Sequence, residues 1–224
     1  MIDRELAAVI DHTLLRPDAT AEEVRVLCKE AKTYGFRTVC VHSGRVALAA
    51  RCLEGSEVSA IAVVGFPHGA EPAAATAFET HEAVRAGARE IDMVLGLGAL
   101  KDREHARVFE RIQTVVRAAG KAAVKVIIET ALLEPNERVI ACSLAAAAGA
   151  AFVKTSTGFA GGGATVEDVA LMREVVGPHL GVKASGGIRD AEKARALLAA
   201  GATRIGASAS VSLVGGGAGA PGVY

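Results

Sequence analysis

The chain has no net charge. Its 25 basic residues stand against 25 acidic ones, with no run of Lys or Arg. That leaves no electrostatic footprint for nucleic acid or an anionic membrane, and points to small-molecule partners. No apolar stretch is long enough to cross a bilayer without a Gly or a charge, so no membrane span is expected. The start, MIDRELAAVIDHT, carries acids and lacks the basic and long apolar regions of an export signal, so a soluble, cytoplasmic protein is expected. Cys28, Cys40, Cys52 and Cys142 form no C-x-x-C pair and lie among apolar residues, the pattern of reduced, buried thiols. The six histidines fall at no metal-ligand spacing with one another or with the cysteines, and no metal is expected. The first turn, HTLLRPDAT, has no G-x-G-x-x-G to mark a dinucleotide crevice. Ser156 and Thr157 lack the histidine and acid partners of a hydrolase.

What the chain does have is 224 residues, 51% of them hydrophobic, enough for one sizeable core. Eight apolar, β-branched runs recur, beginning near residues 9, 38, 60, 90, 123, 152, 181 and 204. Amphipathic helical stretches separate them, with legible ends: a capping box from Thr20 to Glu23, and Pro135 and Gly149 bracketing another helix. Ala-Gly-Ala closes a helix at Gly87, Gly149 and Gly201, and Gly35 does the same, supplying the left-handed turn into the next strand. These signals predict an α/β protein, a single-domain (β/α)8 TIM barrel over 1–214, with chemistry at the C-terminal ends of its strands. Residues 215–224 read as a flexible Gly-rich tail ending in Tyr224.

Charges inside these strands carry the chemistry. Lys154 in AFVKTSTGF and Lys183 in GVKASGGIR sit in apolar runs, where an ammonium loses hydration and either pairs with an acid or gives up its proton. Two amines close together lower one another's pKa, and a neutral amine attacks a carbonyl carbon. Period-2 alternation turns Lys125, Asp92, Lys154 and Lys183 inward from the fourth to the seventh strands. Three amines and one carboxylate suit a site that keeps one amine neutral and moves a proton. The structural alternative is a network in which Asp92 and Glu129 neutralise the lysines. Spacing does not decide which lysine is the nucleophile. Asp11 and Thr13, ending the first strand, are candidates to contact a substrate hydroxyl, while His12 reads as a packed residue. Glycine-rich turns at Gly158 and Gly161–Gly163, at Gly186-Gly187 and at Gly206 to Ser208 suit a phosphate cradled by backbone N–H groups.

The chain resembles the deoxyribose-phosphate aldolases, class I (Schiff-base) aldolases on the (β/α)8 barrel. IDHTLLRPDAT, VVGFPHG, EIDMVLGLGALK, KVIIET, FVKTSTGF, VKASGGIRD and RIGAS carry the likeness over nearly the whole chain, and FVKTSTGF is highly specific. The resemblance implies that Lys154 forms the Schiff base, that Lys183 lowers its pKa, and that Asp92 works with Lys183 as a proton relay. It further implies that Thr13 and Lys125 contact substrate, that Gly158, Gly186, Gly187, Gly206 and Ser208 hold the phosphate, and that Tyr224 assists proton transfer at the enamine carbon. The implied reaction is reversible cleavage of 2-deoxy-D-ribose 5-phosphate to D-glyceraldehyde 3-phosphate and acetaldehyde, with no metal or cofactor. The expected partners are phosphosugars and aldehydes, and the expected assembly is a homo-oligomer. Three positions depart from common family residues: Gly96 where Asn is frequent, Phe159 where some members carry Lys, and Ala209 where Ser is common. Another Schiff-base aldolase or transaldolase on the same barrel, or a non-catalytic sugar-phosphate-binding barrel, is the alternative.

Overall fold

Each predicted run becomes a strand because its β-branched residues face two ways, one set toward surrounding helices and the other toward the barrel axis. A computed structural model of the chain describes residues 2–215. Its strands are β1 (Ile10–Thr13), β2 (Thr38–His42), β3 (Ser59–Val64), β4 (Glu90–Val94), β5 (Ala123–Ile127), β6 (Phe152–Lys154), β7 (Gly181–Ser185) and β8 (Arg204–Ala207). They pair in parallel, in chain order, and close with β8 against β1. The expected (β/α)8 barrel is the fold observed. Tyr224 and the tail from residue 216 onward lie outside the described residues.

A short helix, α1 (Arg4–Ala7), precedes the first strand. The crossovers are α2 (Ala21–Tyr34), α3 (Val46–Cys52), α4 (Ala73–Arg85), the pair α5 (Leu97–Lys101) and α6 (His105–Ala119), α7 (Pro135–Ala147), α8 (Val166–Val176) and α9 (Ala191–Ala199), with α10 (Ser210–Leu213) following β8 as a single turn. Among the described residues no helix is long and apolar enough to cross a membrane. The capping box at Thr20 forms as its sequence predicts, with the Thr20 and Glu23 side chains each accepting from the other's backbone. Pro135 opens α7, where its missing N–H leaves no intrahelical bond unmade. Gly87, Gly149 and Gly201 all have positive φ, between 88° and 114°, and turn α4, α7 and α9 into the following strands.

Two apolar cores result. The larger fills the space between the outer barrel face and the helices; the smaller lies inside the barrel, where Leu15, Cys40, Ile61 and Val63 pack with Phe66 against β2 and β3. The rest of the interior, facing β1 and β4 to β8, carries the charged side chains, with apolar ones such as Ile127 and Phe152 between them. All four cysteines are free; Cys28, Cys40 and Cys142 are buried, and Cys52 is half-buried.

One departure from common family residues now has a visible consequence. Gly96, at the N-cap of α5, has φ −74° and no capping side chain, and a Cβ there would lie 3.4 Å from Arg111 Cδ and 3.9 Å from Arg111 Nε. That Nε is buried without a hydrogen-bond partner, although Arg111 donates through its other nitrogens to Thr76 and Glu71. Gly96→Asn is therefore expected to cap the helix, satisfy Nε and raise unfolding stability by about 0.5–1 kcal/mol, measured by urea denaturation. Gly96→Ala, which supplies neither polar function, should fall short of it.

Candidate active site

Parallel pairing sets lysines from different strands side by side. The register places Asp92 opposite Lys125, Lys154 opposite Lys183, and Lys183 opposite Arg204. Since residues in register share a face, all of these side chains enter the barrel. Asp92 is wholly buried and receives three amines: Lys125 Nζ donates to Oδ1 at 2.9 Å, while Lys154 and Lys183 donate to Oδ2 at 2.9 and 2.7 Å. The four residues singled out from the sequence thus form one cluster.

Of the two carboxylates the sequence suggested as neutralising the lysines, Asp92 does so and Glu129 does not. Glu129 touches none of the three lysines. It follows the end of β5 in the left-handed region, φ 56°, and accepts from the backbone N–H and hydroxyl of Thr157 in the loop after β6. Asp11 turns into the barrel, where its carboxylate is taken up by side chains of the protein. Its Oδ2 meets Lys183 at 2.6 Å, and its Oδ1 accepts from Thr38 and Arg204, each at 2.7 Å. Thr13 is buried and donates to the Asp11 carbonyl at 2.9 Å. His12 points outward, bonded to Glu30 and packed on Phe36, as a packed residue should.

Two further members were not assigned from the sequence: Arg204, and Glu90, which alternation places on the face of Asp92. Glu90 pairs with Lys125 and Arg204. The signal was there, because each stands two residues before an inward position, Glu90 before Asp92 and Arg204 before Gly206. Among the described residues the linked cluster holds four cations, Lys125, Lys154, Lys183 and Arg204, and three carboxylates, Asp11, Glu90 and Asp92.

Surroundings separate the amines. Burial pushes the Lys154 amine below the ordinary lysine value, the Lys183 charge adds to this, and Asp92 does not reverse it. Burial acts on Lys183 in the same sense, but Asp11 and Asp92 outweigh it and hold that ammonium above the ordinary value. Burial raises the Asp92 carboxyl, and Lys125, Lys154 and Lys183 more than reverse it, to well below the usual carboxylate range. Exposure agrees: Lys154 keeps 3% of its surface open, Lys125 and Lys183 none. Of the two amines on Asp92 Oδ2, Lys154 is therefore the one that keeps some exposure and whose pKa is lowered. The arrangement can present a nucleophilic amine beside a fixed ammonium–carboxylate pair that exchanges protons.

The glycine turns gather at the ends of β6, β7 and β8. Gly158 (φ 91°) lies in the loop after β6, and Gly186 (φ 86°) and Gly187 (φ 67°) follow β7. A Cβ on Gly163 would sit 2.4 Å from the Gly186 carbonyl oxygen, so the two loops touch backbone to backbone, and Ala164 N–H donates to Ser185 and Gly186. Gly206 ends up inside the barrel in β8, with half-buried Ser208 just beyond. The α9 N-terminus behind these turns is capped by its own Asp190, whose carboxylate accepts from Lys193 N–H. At the mouth Phe159, 40% exposed, stacks edge-on against Phe66.

A sequence model of the DeoC/LacD family aldolases matches residues 6–219. The chain is 58% identical over 212 residues to deoxyribose-phosphate aldolase 1 of Bacillus licheniformis, covering 94% of this chain and 95% of that protein. It is 57% identical over 217 residues to the deoxyribose-phosphate aldolase of Halalkalibacterium halodurans, covering 96% and 97%. Among solved structures, the tetrameric deoxyribose phosphate aldolase from Aeropyrum pernix superposes with a TM-score of 0.89 at 35% identity, covering 95% of this chain and 90% of that one.

Removing the shared carboxylate tests the electrostatics independently of catalysis. Asp92→Asn leaves buried amines without their common partner and is expected to cost about 3–5 kcal/mol near neutral pH. Lys154 loses its only carboxylate and stays desolvated, so its folded-state pKa falls further below the unfolded value of about 10.4; the unfolded state then binds more protons and stability climbs with pH toward that value. Urea unfolding from pH 6 to pH 10 should show the deficit against wild type shrinking as pH rises; a constant deficit would refute this account.

Proposed function

The chain belongs to the DeoC/LacD family of aldolases, and from that premise we propose that it cleaves 2-deoxy-D-ribose 5-phosphate reversibly through an imine at Lys154. It is an aldolase, a carbon–carbon lyase. The observation that carries the reading is the asymmetric pair on Asp92, with a slightly exposed amine of lowered pKa beside a buried, firmly held ammonium. In the proposed reaction the Lys154 lone pair attacks C1 of the open-chain sugar, and loss of water gives the iminium. The iminium draws in the C2–C3 bonding electrons as the C3 hydroxyl loses its proton. D-Glyceraldehyde 3-phosphate leaves and an enamine remains on Lys154. Protonation of the enamine carbon and hydrolysis then release acetaldehyde.

Asp92 and Lys183 have the hydrogen-bond geometry for the proton relay. Thr13 and Lys125 are assigned substrate roles on the resemblance alone, Lys125 being wholly buried against Asp92 and Glu90, and Gly158, Gly186, Gly187, Gly206 and Ser208 are assigned to the phosphate, which the clustered backbone at the ends of β6 to β8 supports. Tyr224 is assigned the proton transfer at the enamine carbon on the resemblance alone. A homo-oligomer in the cytoplasm is the proposed working form; the Aeropyrum pernix relative is described as tetrameric.

Borohydride reduction in the presence of acetaldehyde should leave an ethyl group on Lys154, located by peptide mass mapping, and Lys154→Ala should lose both the adduct and retro-aldol activity. An adduct on Lys183 or Lys125, with Lys154→Ala still active, would sink the assignment. Tyr224→Phe and deletion of Tyr224 should slow turnover and solvent-deuterium exchange into acetaldehyde, by roughly 10²-fold for a general acid–base role, while the Lys154 adduct still forms. Unchanged exchange in both variants would remove the tyrosine from the mechanism.

A further inference from the structure

Arg204 opens β8, 7% exposed, on the barrel floor. It donates to Asp11 at 2.7 Å and to the Glu90 carboxylate at 3.1 to 3.4 Å. Its guanidinium lies 5.4 Å from the centroid of the Phe152 ring, whose other neighbour is the Lys125 amine at 5.6 Å. A Cβ on Gly181 would fall 2.0 Å from that ring, so the glycine leaves the space in which Phe152 sits between the two cations.

Traced from Arg204, the contacts close on themselves. Arg204 meets Asp11, Asp11 meets Lys183, Lys183 meets Asp92, Asp92 meets Lys125, Lys125 meets Glu90, and Glu90 returns to Arg204. Positive and negative groups alternate around the ring, so its three cations balance its three carboxylates. Lys154 hangs on this ring through Asp92, whose charge the ring already uses.

We infer that Arg204 is a positioning residue for the Lys154 amine: by closing a neutral ring of alternating charges on the barrel floor, it leaves Lys154 as the surplus cation that gives up its proton. The inference rests on the reading of Lys154 as the imine-forming residue and adds what keeps it neutral. A buried cluster with one uncompensated charge sheds it most readily from the group with no carboxylate of its own. The ionisable groups facing Lys154 are Asp92 from β4, Lys183 from β7 and Cys40 from β2. Burial pushes the Cys40 thiol up to about 11, so it adds no charge near neutral pH. Without Arg204, three carboxylates would face three lysines, and Lys154 could keep its proton.

The test is the acid limb of kcat/KM for cleavage of 2-deoxyribose 5-phosphate, read against pH in four variants, with acetaldehyde trapping and a thermal melt on each. Arg204→Met should move the limb up by about one pH unit, the size Coulomb's law gives for a unit charge about 10 Å away at an effective dielectric of about 20, and lower activity about tenfold on the acid side. Glu90→Gln removes a carboxylate and should move the limb down. Arg204→Met with Glu90→Gln restores one surplus cation and should bring the limb back toward wild type, a cancellation that merely structural damage does not produce. Arg204→Lys keeps the charge and should leave the limb in place. An unmoved limb in a folded Arg204→Met, or a double variant whose shift exceeds that of either single one, overturns the inference. If Arg204→Met does not fold, Glu90→Gln decides, and a limb that stays put or rises there overturns it. A Lys154 adduct in every variant with unmoved limbs refutes the charge balance alone, whereas an adduct elsewhere in the wild type refutes the reading beneath it.

Discussion

Charge balance in a space closed to bulk water is the constraint on which the site depends. Asp92, on β4, joins three amines carried by β5, β6 and β7, and its hydrogen bond to Lys183 links residues 91 positions apart. A helix or hairpin cannot assemble such a set. A barrel of parallel strands can, because each register carries an inward residue to the next strand at the same height. With the dielectric low and each cation within about 3 Å of an acid, one charge more or less changes the protonation of a neighbour.

Such a cluster is a poor source of stability, since burying ions costs several kcal/mol apiece and their mutual attraction returns little beyond it. The fold rests elsewhere. Residues such as Val124, Val126, Ile91, Met93, Val153 and Val182 point outward from the charged strands into the larger apolar core beneath the helices. Inside the barrel, Cys40, Ile61 and Val63 fill the β2–β3 side without charged groups. Outward faces hold the barrel closed, and that frees the inward faces of β1 and β4 to β8 to carry charge. Both faces come from the same strands by simple alternation, so the same pattern supplies the scaffold and the site.

Much of this was legible in the sequence because a Lys in a β-branched run stands out. Eight runs, the capping box at Thr20 and the Ala-Gly-Ala helix ends gave the architecture, and the lysines and Asp92 gave the centre of the site. Glu90 was legible on the face of Asp92 but not as a partner, and Arg204 was not assigned, because each is the first residue of its strand, where a charge also suits the polar turn before it. Glu129 misled for a related reason. Period-2 alternation holds only while the chain is extended, and β5 ends at Ile127, two residues earlier, before a left-handed turn re-aims the carboxylate. Asp11 was visible as an acid but not as a partner of Lys183, since that contact depends on β8 closing against β1. The neutral amine could not be picked by spacing, for Lys154 and Lys183 are direct neighbours in register.

What separates those two lysines is one glycine. Both reach the same oxygen of Asp92, and both lie in strands of similar burial, so each could have been the neutral one. Lys183 differs in meeting Asp11 as well, and Asp11 belongs to the strand beyond β8. Gly206 stands in register between them, opposite Ser185 on one side and Asp11 on the other. A Cβ there would lie 2.9 Å from Lys183 Cε and 3.0 Å from Ser185 Cβ, in the space the Lys183 side chain occupies. The missing side chain thus leaves room for Lys183 beside Asp11, and the second carboxylate fixes its proton. On Lys154 the corresponding neighbour is Ile127 of β5, which offers no charge. One amine gains a second acid and the other an apolar wall, and that difference raises the pKa of the Lys183 ammonium and lowers that of the Lys154 amine, the asymmetry on which the proposed imine chemistry rests.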